Sequence, residues 1–291
     1  MTGVLPAFLF ESIFFLGAVF DDTRRLFASI GRPLSQSLIM LGSALVPFLI
    51  VTITAGTYDS HALLILLCLC ALMSFWWILF PHRTAYDAGF LVIAAAPLVL
   101  KVFQRLYVTP VPRVEISVLG HLAWIHIALL GLLVQRGFDI GPVGFWPKSV
   151  EWREGLLQFS IVILPASLIG IWIHFIKWGP LPLPPAEWAA RALGYFFGTL
   201  WVVALSEDVF RSVITQIFLR HGSGKIVAII ASGVLFGAAH LWYRDFPNWR
   251  FAIVAMIAHA FFTVAYVRTG SVRASMVAHA LTVTTWRMAF R

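Results

Sequence analysis

A run of 31 residues, Ala189 to Leu219, is apolar almost throughout, yet it holds Ser206-Glu207-Asp208-Val209-Phe210-Arg211 near its middle. About 20 apolar residues in a helix cross the hydrocarbon of a bilayer, and an ionisable group at that depth costs from about 2.5 kcal/mol upward. The uncharged stretch Ala192–Ser206 is too short to span alone. A helix leaving the membrane at Glu207 would strand Val209, Phe210, Val213, Ile214, Ile217, Phe218 and Leu219 in water. The run therefore predicts one long, tilted or kinked membrane helix with its charges inside.

The rest of the chain fits that environment. Of its 291 residues 60% are hydrophobic and 12% charged, against about 25% charged in soluble domains. Such a chain cannot cover its own surface with polar groups. The net charge of +8 is spread over loops with no Lys/Arg-rich tract, which fits anionic lipid headgroups better than nucleic acid, and no nucleic-acid partner is expected. Cys68 and Cys70 stand two apart in one apolar segment and point in different directions, which argues against a disulfide or a paired metal site. Met1–Phe20 lacks a basic leader region and carries Glu11, so it reads as a first membrane segment.

Ten apolar stretches qualify as spans: Val4–Phe20, Ser35–Ala55, Ala62–Phe80, Ala88–Leu106, Ile116–Val134, Leu156–Ile176, Ala189–Leu219, Ile226–Trp242, Phe251–Val267 and Val272–Ala289. They are too long for barrel strands and do not alternate. The predicted fold is all-α, a polytopic bundle of about eight to ten membrane helices. Gln135–Gly155 mixes Gly, Pro, Trp and charges and suits an interfacial segment. Lys177–Trp188 holds four prolines, is stiff and extended, and marks the expected boundary between an N-terminal region, 1–180, and a core, 186–291.

The core holds the candidate chemistry. Glu207 and Arg211 stand at i and i+4 and are expected to pair, while Asp208, rotated by about 100°, points elsewhere. His240 closes the small-residue run Gly237-Ala238-Ala239, which lets a neighbouring helix approach, and Glu207 is its expected acid partner. His279 has Thr282 three residues on, on the same face. His259 reads as structural. Without a cofactor, a carboxylate and imidazoles of this kind activate water. With one, Glu207, His240 and His279 form a carboxylate/His₂ set for zinc, although no H-E-x-x-H is present. Ser206 as nucleophile with His240 as base is a third arrangement, without a surrounding G-x-S-G. Outside enzymes, the charges fit a transporter path or a binding or immunity protein. No repeated halves are seen, which disfavours a transporter.

The order of these features resembles the CAAX protease and bacteriocin-processing family of intramembrane proteases, whose motifs are EExxxR, FxxxH and HxxxN or HxxN. Phe236-Gly237-Ala238-Ala239-His240 matches the second motif, and Arg268-Thr269-Gly270-Ser271 followed by Ala274–Leu281 is similar to the run into the third. The resemblance covers about Ala189 to Thr285. It implies an endopeptidase cutting a membrane-associated peptide or a C-terminal tail, in a multi-pass protein of the bacterial inner membrane. It also implies that Glu207 and His240 activate water, that His279 with Thr282 stabilises the oxyanion, and that Arg211 holds the carboxylate. Two positions depart from the pattern. Ser206 stands where the first glutamate of the motif falls, with Asp208 an extra acid, and Thr282 and Val283 stand where the last asparagine falls.

Overall fold

The computed structural model describes residues 3–108, 115–243 and 246–291. The regular elements among them are helices, with a single isolated bridge between Trp178 and Phe290. Hydrocarbon offers no partner to backbone N–H and C=O groups, so apolar runs close their hydrogen bonds internally. The chain forms two compact units, Met1–Phe138 and Asp139–Arg291.

In the first unit α1 (Val4–Gly17) turns through 90° into α2 (Asp21–Ser29). There follow α3 (Pro33–Ala55), α4 (Ser60–Leu79), α5 (Thr84–Val99), the short α6 (Val102–Leu106) and α7 (Ser117–Leu130), which runs on through a π-turn at Gly131–Gln135. α1, α3 and α7 pack on one another around a buried polar cluster. There His126 Nδ1 lies 2.6 Å from Glu11 Oε1, and His126 Nε2 lies 3.0 Å from Ser43 Oγ. Glu11 and His126 are wholly buried. Cys70 is buried and Cys68 exposed, and both are free thiols.

The second unit comprises α8 (Ser149–Trp172), α9 (Pro185–Gly198), α10 (Ala204–Arg220), α11 (Lys225–Ala239), α12 (Trp249–Thr269) and α13 (Val272–Ala289). α9 and α10 are joined by a π-turn at Thr199–Val203, so Pro185–Arg220 is one continuous helical span of 36 residues, a long helix with its charges inside as the sequence predicts. α13 is the central helix, with Val272, Ala274 to Ala280 and Thr282 buried. It packs on α8, α9, α10 and α12, while α11 packs on α10 and α12. Glycines permit the closest contacts. A Cβ at Gly155 on α8 would lie 2.6 Å from Val277 Cβ, and one at Gly237 on α11 would lie 2.7 Å from the Ala252 carbonyl oxygen.

The compact units divide at 138/139, inside the Gln135–Gly155 segment, and not at the proline-rich stretch. The reason is that α8 packs on α12 and α13, which places it in the second unit. The proline-rich stretch is itself docked there. Lys177 and Arg291 exchange backbone hydrogen bonds of 2.8 and 2.9 Å, and Gly179 and Leu181 N–H groups bond Ala289 and Met288 carbonyls at 3.0 Å. Seven helical spans among the described residues are long and apolar enough to cross a membrane, or eight if the bent α1–α2 pair counts as one. α5 is too short at 16 residues. α13 carries Arg273, Arg287 and His279, and it lies inside the bundle instead of facing lipid. The chain is an integral, multi-pass membrane protein.

Candidate functional site

The π-turn at Thr199–Val203 ends one residue before α10 begins and three before Ser206. Such turns shift the register of the residues that follow and recur at functional sites. Here Asp208 and Arg211 face the interior and are wholly buried, whereas the Glu207 side chain remains 34% exposed. Arg211 Nη1 lies 2.5 Å from Asp208 Oδ1. The expected Glu207–Arg211 pair is therefore replaced by Asp208–Arg211, at i and i+3. Both spacings place the residues within about 60° of each other around the helix, so helical geometry alone did not choose between them. Packing of α10 against α13 and α12 did, by enclosing the Asp208 side.

Arg211 is the hub. Its Nη1 also donates to His259 Nδ1 at 2.9 Å, its Nη2 bonds Ser275 Oγ, and the guanidinium lies 5.5 and 5.9 Å from the ring centres of Phe262 and Phe236. A guanidinium only donates. His259 Nδ1 is therefore an acceptor, and the proton of that neutral imidazole sits on Nε2. His259, which the sequence reads as structural, lies at the centre of the cluster, 4% exposed, with its ring 5.2 Å from that of His279 and 5.5 Å from that of His240. Its lone place in an apolar helix was the signal available. Ser275, four residues before His279, was legible by the i, i+4 rule.

His279 Nδ1 lies 3.2 Å from Asp208 Oδ1, and its Nε2 lies 3.8 Å from Glu207 Oε2. When His279 is neutral with its Nδ1–H donated to the aspartate, its Nε2 lone pair faces Glu207. The His279 ring is stacked on Phe262 at 4.9 Å, which fixes its plane. Asp208 Oδ2 and Arg211 Nε are buried without a hydrogen-bond partner among the described residues. This is a costly arrangement.

The remaining candidates occupy other places. His240 Nδ1–H donates to the Phe236 carbonyl at 2.8 Å, leaving its Nε2 as an acceptor. His240 reaches the cluster through the His259 ring and forms no ion pair with Glu207. Thr282 is buried and donates its hydroxyl to the Ala278 carbonyl at 2.8 Å. Ser206 donates to the Val202 and Val203 carbonyls at 3.2 and 3.1 Å. Both hydroxyls are thus engaged by their own helices.

Glu207, His259 and His279 each bring one ligand-type atom to within 4.8 Å of the others. This grouping has His259 where the sequence reading placed His240. His279 is suited to a metal, since its Nδ1–H is held by a carboxylate. His259 is not. Its Nδ1 accepts from Arg211, so the Nε2 that would bind metal carries a proton, and a fixed cation stands beside it. The Arg211 contact at Nδ1 thus disfavours His259 as a metal ligand.

Residues 187–285 match the family model described as Rce1-like, type II CAAX prenyl endopeptidase Rce1-like. The matched range runs from α9 nearly to the end of α13 and contains every residue of the cluster, in agreement with the resemblance carried by the motifs. Comparison with curated proteins and with solved structures gives no match.

Proposed function

We propose that the second unit is an intramembrane peptide hydrolase that cuts a membrane-associated peptide or a protein's C-terminal tail with a water held between Glu207 and His279. One observation carries the reading. An Asp208-oriented imidazole presents its Nε2 lone pair to a partly exposed carboxylate 3.8 Å away. A water bridging the two gives up a proton to this pair as its oxygen attacks the peptide carbon. The same pair returns the proton to the leaving amine when the C–N bond breaks. Asp208 holds the His279 tautomer that leaves Nε2 free, and Arg211 holds Asp208. Burial in hydrocarbon strengthens each of these electrostatic contacts. The similarity to a type II CAAX prenyl endopeptidase supports the reaction class and suggests a prenylated, CAAX-terminated peptide as the first substrate to try.

The test uses purified full-length protein in lipid vesicles with a farnesylated CAAX-terminated peptide and its unprenylated counterpart, the products being identified by mass. Glu207→Gln is expected to abolish cleavage while the protein accumulates normally, because the side chain is partly exposed and no buried pair is broken. Asp208→Asn is expected to lower kcat by about 10²–10⁴-fold through the wrong His279 tautomer, and cleavage is expected to survive a chelator. Undiminished cleavage by Glu207→Gln would remove this mechanism.

A further inference from the structure

Any hydrolysis of a peptide bond passes through a tetrahedral oxyanion, and a donor aimed at that oxygen is worth about 10²–10³-fold in kcat. The three imidazoles of the second unit differ in what they offer. His240 gives its Nδ1–H to the Phe236 carbonyl, and His279 faces Asp208 through Nδ1. Both therefore present Nε2 as an acceptor. His259 is the reverse, because the Arg211 guanidinium occupies its Nδ1 at 2.9 Å. Its Nε2–H has no acceptor among the described residues, although the residue is 4% exposed and one of its ring nitrogens lies within 4.8 Å of the Glu207 and His279 ligand atoms. The hydroxyl donors nearby are taken, Thr282 by Ala278 and Ser206 by Val202 and Val203.

We infer that His259 is a catalytic residue of this site, its Nε2–H donating to the carbonyl oxygen of the peptide bond under attack. The inference rests on the peptide-hydrolase reading above. As the water oxygen bonds the carbonyl carbon, the π pair moves onto the carbonyl oxygen, and the negative charge meets the Nε2–H. When the carbonyl re-forms, the C–N bond breaks and the amine leaves with the proton held by the Glu207–His279 pair. His259 itself neither gains nor loses a proton. Arg211 acts here as a positioning residue, since its donation fixes which nitrogen of His259 carries the hydrogen. His259 thus stands in for the oxyanion donor that Thr282 and Val283 do not supply.

Two substitutions separate donation from anchoring. His259→Asn keeps an acceptor near the Nδ1 position for Arg211 but has no N–H at the Nε2 position; His259→Gln restores an N–H at that far position. With the farnesylated CAAX-terminated peptide, His259→Asn is expected to lose about 10²–10³-fold in kcat with KM unchanged. The affinity for a phosphonate analogue of the tetrahedral intermediate should fall in parallel, and His259→Gln should recover part of both. Nitrogen-15 NMR of the full-length protein should show His259 protonated at Nε2 and His279 at Nδ1. Wild-type kcat in His259→Asn, with Glu207→Gln inactive, overturns the role of His259 and leaves the hydrolase reading standing. Equal cleavage by wild type and Glu207→Gln overturns the hydrolase reading itself. An Nδ1-protonated His259 overturns the inference without any substrate.

Discussion

Arg211 shows how one side chain sets the chemistry of its neighbours. It bonds Asp208, His259 and Ser275 at once, and through the first two it determines which nitrogens of His279 and His259 carry hydrogen. Replacing it leaves a wholly buried carboxylate without its cation. Arg211→Met is therefore expected to cost about 3–5 kcal/mol, read as a lowered denaturation midpoint, and combining it with Asp208→Asn should recover part of that loss. Thr282→Val is the contrasting case. Its hydroxyl serves only its own helix, so the cost should stay near about 1 kcal/mol and kcat should hold. The importance of Arg211 was legible in the sequence, because a guanidinium inside a 31-residue apolar run demands a partner. Its choice of Asp208 over Glu207 was not, because both acids lie within reach on the same helix.

At the scale of elements, small residues place the histidines. Gly233 and Gly237 let α11 approach α12 so closely that a Cβ at Gly237 would meet the Ala252 carbonyl and Met256 Cβ at 2.7 Å. This contact carries the end of α11, and with it His240, alongside His259. Gly237→Val is expected to force the helices apart, costing about 1–3 kcal/mol and lowering cleavage. Gly194→Ala on α9 meets nothing within 4 Å and should be neutral or mildly stabilising in the same assays. The sequence showed the Gly-Ala-Ala run and the closeness it permits. It did not show that His259, about two turns along α12 from the Ala252 contact, would be the imidazole grouped with Glu207 and His279.

At the scale of the molecule, each compact unit encloses its own buried polar network. One is Glu11–His126–Ser43 and the other Asp208–Arg211–His259–His279. Such networks are costly when half satisfied, so each should govern the stability of the unit that holds it. Thermal unfolding of the purified protein is expected to show two transitions. Glu11→Ala should lower one and Arg211→Met the other, and a single transition moved equally by both would contradict independent units.

The sequence by itself determined the environment, the helical class, the long charged helix and the region that matches a protease family. These follow from length and hydropathy, which act through solvent and need no knowledge of neighbours. Only the tertiary structure decided that α8 belongs with the last helices, that α13 is a core helix, that Asp208 takes the arginine, and that His259 packs into the Arg211–His279 cluster. Each of these depends on which faces of separate helices meet. In a lipid-buried bundle, where helices are apolar all round, periodicity carries little record of that choice.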